Sequence, residues 1–342
     1  MIDYNGVHRG IDLLISDGVI ECIGRCGCSS CREVECRDKI VYPCLSNPYI
    51  PLHDLIHRCG CIEPNSLVEE IAIESIMDGV TVVSIDSSML DNGIDKCILE
   101  DIVSRYKVGI NVLDDILYKP SLSSSDPLGE LIDGVRSICK SYGRVYIPFL
   151  ITRKEPFIYW RRYRVWPLQY LEENGFFDID CRFLFIYLNW VSSMDIEVLT
   201  RHRDCVGVIV SPSKTMLGNV GGFTPVYELY SRGLWIGLST SGLSDSLLFE
   251  ARLLHMLYKY NYWDDRLGTS IVWKILLNNN DLYGVPKGVR EGTSASIVVA
   301  TIPFKPIEYS IESLFYNSRL LRVDYIVYRG ETIYDRMGVD VE

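Results

Sequence analysis

Basic residues are in short supply in this chain: 34 lysines and arginines stand against 45 aspartates and glutamates, a formal charge of −11 at pH 7. A general nucleic-acid binder needs a basic face, so nucleic acid is not an expected partner. No apolar run approaches the ~18 residues that a bilayer-spanning helix requires, and no membrane association is expected. The opening MIDYNGVHRGIDLL lacks the basic-then-apolar layout of a secretory leader, which points to a cytoplasmic protein. No internal repeat or low-complexity tract is evident, and SLSSS at 121–125 reads as a polar loop. A Gly-x-Ser-x-Gly elbow is also missing, which leaves a Ser-His-Asp triad without support.

Apolar residues, at 48% with 23% charged, are enough for an ordinary buried core, and 342 residues suffice for one large α/β barrel plus a small satellite. Twelve cysteines are many for such a protein. Cys22, Cys26, Cys28, Cys31 and Cys36 crowd into one stretch. Cys28 and Cys31 have the spacing of a zinc knuckle, but a distant matching pair is missing and the nearby His8 is alone. Free thiols or one or two disulfides fit this stretch better than a structural metal.

Hydrophobic patterning divides the chain. Residues 12–16 and 19–23, separated by Asp17-Gly18, read as a hairpin. From Ser66 to about residue 284, continuous apolar strands alternate with amphipathic helices. The strands are Val80–Ile85, Val108–Leu113, Val145–Ile151, Phe183–Leu188, Val206–Val210 and Leu234–Leu238. Helices are expected at Leu67–Met77, Leu128–Tyr142, Pro167–Asn174, Ile196–His202 and Leu247–Tyr260. Such repeats imply parallel β-structure covered by helices, and they fit a (β/α)8 TIM barrel better than an open sheet. The segment between Leu113 and Leu128 is too short for a full unit, so strand four is reduced, missing, or replaced by a short piece within 116–122. The tail returns to β-character at Ser296–Ala300 and Tyr325–Tyr328. Residues 1–45 and 285–342 are therefore expected to pair into one small β-sandwich-like domain flanking a barrel at 46–284.

Several local wordings occur in a telling order. They are DLLISDGVIECIG at 12–24, VYPCLSN at 41–47, DGVTVV at 78–83, PLQYLEENGFF at 167–177, and SSMDIEVL at 192–199. Ser211-Pro212-Ser213-Lys214 with Leu217, Gly218 and Pro225, the run 233–242 followed by Phe249-Glu250-Ala251-Arg252, and Gly288, Gly292 and Ala295 before Ser296–Val299 complete the series. Taken together, the chain resembles the amidohydrolase superfamily, in its chlorohydrolase, cytosine deaminase and adenosylhomocysteine deaminase branch. The resemblance covers nearly the whole chain.

The resemblance implies a hydrolase acting on carbon–nitrogen bonds, with zinc or iron activating a water and a side chain moving its proton. Ligands would come from the ends of strands one, five, six and eight. Those positions fall here on Tyr49 and Pro51, Pro148, Tyr187 and Ser241, with companion positions at Ile151 and Trp190. Pro, Ile and Trp offer a metal no usable lone pair, and neutral Tyr and Ser are poor ligands. The expectation is a degenerate member without a metal cofactor, a pseudoenzyme that binds a small-molecule ligand or a paralogous subunit, or self-associates. Against it stands a metal-dependent hydrolase or deaminase with an atypical site around His53, Asp54 and His57; the His53-x-x-x-His57 spacing suits zinc, yet no third ligand is evident. The vacated positions form either an aromatic pocket with His53, Asp54, Ile151 and Trp190 or a filled core. His202 and His255 are expected to face solvent. The run 153–166 interleaves Arg161, Arg162 and other cations with aromatics. It suits a phosphate, nucleotide or acidic partner, or a solvated helix whose aromatics pack on the barrel.

Overall fold

Apolar runs closed by turn residues become strands whose side chains are buried on both faces, and the computed structural model places them at the centre of the molecule. It describes residues 1–60, 63–88, 94–217, 221–244, 246–303 and 310–336. Among these, parallel strands run Leu45–Pro51, Val80–Asp86, Gly109–Val112, Arg144–Phe149, Arg182–Tyr187, Val206–Val210 and Trp235–Leu238. Helices between them are set by local signals. Asp126 caps Pro127–Tyr142 through the Gly129 amide, and Ser192 with Asp195 forms a capping box on Ser193–Arg201. No helix among the described residues is long and apolar enough to cross a membrane.

The strands do not close into the expected eight-stranded ring. They form one parallel sheet of three strands and another of four. The first seam lies between Gly109–Val112 and Arg144–Phe149, where the chain is too short to supply a strand and helix. The anticipated substitute within 116–122 amounts to one parallel bridge, Leu117 to Tyr146, with the Tyr118 amide donating to the Tyr146 carbonyl at 2.9 Å. At the second seam, Leu45–Pro51 meets Trp235–Leu238 without ladder pairing. Side chains join the two strands there. Asn279 donates to the carbonyls of Ser46 and Leu238, both at 2.7 Å, and accepts from the Leu238 amide at 2.9 Å. Inside, Tyr146, Leu184, Ile186, Ile209 and Leu282 pack together between the strands, so the space there is filled rather than hollow.

The chain ends meet in an antiparallel sheet. Ile40–Pro43 pairs with Ile297–Thr301, which pairs with Arg322–Tyr328, which pairs with Glu331–Asp335. The hairpin Asp12–Ser16 and Val19–Gly24 packs on this sheet through Leu13, Ile15, Ile20 and Ile23 against Ile297, Val299, Tyr325 and Val327. Its opposite face belongs to the main core, which Tyr42 and Val298 join. Gly79 makes that approach possible: its φ is +73°, and a Cβ there would lie 2.8 Å from Val298 and 3.0 Å from the Tyr42 hydroxyl.

The cysteine-rich stretch holds two disulfides, Cys22–Cys26 and Cys28–Cys31, while Cys36 is a half-buried thiol. A third disulfide, Cys139–Cys181, fastens the helix Pro127–Tyr142 beside the start of the strand Arg182–Tyr187. The sequence reading did not pair these two.

Candidate functional site at the barrel mouth

The C-terminal ends of parallel strands are where barrel proteins collect chemistry. Here those ends carry aromatic and hydroxyl groups bonded to one another. Tyr49 and Tyr187 are 2% and 3% exposed and meet edge to face, with ring centroids 6.2 Å apart. The Tyr49 hydroxyl donates to Asp86 at 3.1 Å, and the Tyr187 hydroxyl donates to Ser241 at 3.2 Å. Burial is the main reason that both phenols are held far above their ordinary range, so both remain protonated donors. Ser239 closes the set by donating to the Tyr49 carbonyl and accepting from the Ser241 amide.

The backbone departs from ordinary strand geometry at the same strand ends. Leu150, Tyr187, Leu188 and Ser241 all have positive φ, between 48° and 82°. Bulky residues adopt this conformation at a cost of about 1–3 kcal/mol each, and they keep it only where the surroundings enforce it. The Tyr187 carbonyl accepts from Thr224, and the Leu150 carbonyl accepts from the Trp190 amide at 3.2 Å.

Two carboxylates lie nearby, and each is held by a lysine. Lys119 is 2.7 Å from Asp86, which also accepts from Ser88 at 2.6 Å. Burial pushes the Asp86 carboxyl up, but the Lys119 and Ser88 bonds outweigh it and leave it below its ordinary range. Lys214 reaches both oxygens of Asp54, at 2.7 and 2.6 Å. His53 sits 3.4 Å from Asp54; burial, joined by Lys214 and Lys119, lowers its pKa despite that carboxylate, which favours the neutral ring. The side chain of His57 lies outside the described residues.

The other positions singled out in sequence fall around this cluster. Pro51 is buried, Pro148 half-buried, and the Ile151 carbonyl accepts from Asn189 at 3.3 Å. Trp190 is half-buried beneath the Arg153 guanidinium, 5.9 Å from its ring, and against Gly222, where a Cβ would strike the indole at 2.5 Å. Arg161 and Arg162 do not join this group. They are exposed on the helix Lys154–Tyr163, and Arg162 donates to the Ser124 carbonyl at 2.7 Å. His255 is 4% exposed and bonded to Tyr316 at 2.9 Å, so the expectation that it faces solvent is corrected. His202 is half-buried, stacked on Phe177 and 2.8 Å from Glu172.

Sequence reasoning missed Asp86, Lys119, Lys214 and Glu250 as members of the site. Asp86 had a usable signal, since it ends the otherwise apolar run VTVVSID. Glu250 had none, because an acidic residue in a helix is ordinarily a solvated one. It is fully buried and accepts from the Ser213 amide at 3.0 Å. Burial raises its pKa from 4.5 to about 7, against hydrogen bonds from Ser213 and Ser244 that lower it. The native state therefore binds a proton more tightly than the unfolded chain. The contribution of Glu250 to stability should be fullest below pH ~4.5 and should fall by roughly 3 kcal/mol as pH rises to about 7. Glu250→Gln should flatten this slope and exceed the parent in stability at pH 8. Urea melts at pH 5 and pH 8 test it, and equal pH slopes in the two proteins would refute it.

The donor set does not fit a catalytic metal of the type the resemblance implies. Neutral phenols, prolines and a serine stand where the resemblance would place ligands, and lysines bind the two carboxylates. No group of three or more His, Cys, Asp or Glu that could hold a metal ion occurs among the described residues.

No protein-family model matches the chain. A curated relative, 5-methylthioadenosine/S-adenosylhomocysteine deaminase of Halothermothrix orenii, is 29% identical over 185 residues, which span 50% of this chain and 42% of the relative. Among solved structures, an adenosine deaminase from Xanthomonas campestris with bound zinc superposes with a TM-score of 0.73 at 16% identity. That match covers 97% of this chain and 90% of the other. An amidohydrolase from Brucella melitensis gives 0.72 at 13% identity, covering 98% and 93%. The fold is thus shared with that zinc-bound adenosine deaminase and that amidohydrolase.

Proposed function

We propose that this protein is a non-catalytic relative of metal-dependent deaminases, retaining the scaffold as a binding protein for a small molecule or a paralogous subunit. The observation that carries the reading is the closed set Asp86–Tyr49–Tyr187–Ser241 at the mouth, with Lys119 and Lys214 holding the two nearby carboxylates. A hydrolytic centre needs donors that can be deprotonated and turned toward one ion, and a route for the displaced proton. Here the phenols are protonated donors and the carboxylates are paired with ammonium groups.

The competing reading is a deaminase with an atypical metal site, and it rests on the name of the Halothermothrix orenii relative. One experiment separates the two. The purified chain is incubated with zinc, iron or manganese, dialysed, analysed for bound metal, and assayed with adenosine, 5-methylthioadenosine and S-adenosylhomocysteine. We expect no stoichiometric metal at the mouth and no release of ammonia, and Tyr187→His should restore neither. One tightly bound ion, or turnover that Tyr187→Phe abolishes, would overturn the proposal.

A further inference from the structure

The seam left by the reduced fourth strand holds a cleft that reaches from the starts of Arg144–Phe149 and Arg182–Tyr187 to the end of Gly109–Val112. Arg144 and Arg182 are the first residues of their strands, whereas Tyr187 is the last of its own. The cleft, of about 710 Å³, is lined by Ile110, Val112 and Leu282 and by the two arginines, among others. That volume falls within the ~300–1,000 Å³ usual for small-molecule sites.

The two arginines are register partners on adjacent parallel strands, which places their backbones about 4.8 Å apart with both side chains lining the cleft. Both are half-buried. Among the described residues the Arg144 side chain donates to the Leu282 carbonyl, at 3.4 Å, and the Arg182 guanidinium lies 5.1 Å from the centre of the Trp235 ring. Among the described residues neither has a carboxylate within ion-pair distance. Asp281, the acid at that end of the cleft, is taken by Lys287 at 2.6 Å and by the Trp235 indole at 3.1 Å. Asp115 stands exposed at the rim.

Two like charges side by side and partly desolvated repel each other, and an acidic chain could pair them with carboxylates of its own. It does not. Both guanidinium groups line a space whose wall also carries Ile110, Val112 and Leu282. We propose that this cleft binds a small organic anion whose phosphate or carboxylate group bridges Arg144 and Arg182 and whose apolar body rests on Ile110, Val112 and Leu282. Guanidinium groups suit such planar, bidentate recognition of oxyanions. The site is independent of the barrel mouth and stands whether or not the mouth is catalytic.

Calorimetric titration of the full chain tests this with three ligands sharing one ring: phenyl phosphate, benzoate and neutral phenol. Phenyl phosphate or benzoate should bind saturably with a Kd below about 1 mM, phenol should not, and their ranking tells phosphate from carboxylate as the preferred group. Arg144→Gln and Arg182→Gln should each weaken the anion about tenfold or more, and Arg144→Lys should weaken it less. Should a glutamine variant fail to fold, salt provides the second reading. Raising NaCl from about 50 to 500 mM should weaken binding to the parent chain severalfold. Absence of saturable binding by both anions, equal binding of phenol, or glutamine variants that bind like the parent would overturn the assignment.

Discussion

Replacing Asn279 by alanine is expected to lower stability by about 3–6 kcal/mol, a large part of the margin by which an ordinary domain is folded. The side chain is fully buried and occupies the seam where the first and last parallel strands do not pair. It satisfies three backbone groups at once: the Ser46 carbonyl, the Leu238 carbonyl and the Leu238 amide. Alanine would strand all three away from water, at about 1–3 kcal/mol each before relaxation. The neighbouring asparagines work in the same way but at single strands. Asn278 donates to the Ile236 carbonyl at 3.1 Å, and Asn280 donates to the Cys44 carbonyl at 2.8 Å. Gly237 completes the fit, since a Cβ there would lie 2.6 Å from the Asn279 side-chain oxygen. Urea denaturation measures the loss, and amide exchange at Leu238 locates it. A loss below about 1 kcal/mol with Leu238 still protected would show that the strands hold together without the asparagine.

That seam also marks where the sequence stops being informative. The order of strands and helices could be read because each apolar run ends in turn or cap chemistry, as at Asp78-Gly79 and Ser192–Asp195. Asp12–Ser16 and Val206–Val210 are found where patterning put them, and the other expected elements are shifted at their ends by a few residues. Ring closure, in contrast, is a relation between residues far apart in the chain. Three consecutive asparagines carry the composition of a solvated loop, and nothing in their wording shows that they enter a core. The short fourth unit was legible as a missing length, but the cleft it leaves depends on where Arg144 and Arg182 point. At the mouth, the sequence identified which residues stand at the strand ends through the resemblance. It could not show that Lys119 and Lys214, on separate segments, would reach Asp86 and Asp54. His255 misled because a histidine in a helix is usually exposed, whereas the Tyr316 hydroxyl gives this one a partner inside.

Lys214→Ala should lower stability by about 3–5 kcal/mol, because it leaves a buried carboxylate without its counter-charge. Asp54 is 5% exposed and the Lys214 side chain 16%, so solvent cannot replace the lost ammonium without rearrangement. The pair spans the mouth, joining the helix Leu52–Cys59 to the helix Pro212–Leu217, and its geometry is bidentate at 2.7 and 2.6 Å. Lys214→Met with Asp54→Asn removes both charges and retains most of the volume, so that double variant should recover most of the loss. Zinc added to Lys214→Ala should not substitute for the lysine, since among the described side chains His53 and the freed Asp54 make only two donors where a stable site needs three or more. Thermal and urea melts of the parent, the single variants and the double variant, each with and without zinc, measure both effects. A single variant as stable as the parent would mean that water already screens Asp54. Recovery by stoichiometric zinc would mean that the lysine occupies a working metal position, and the reading of the mouth as a filled, non-catalytic end would fall with it.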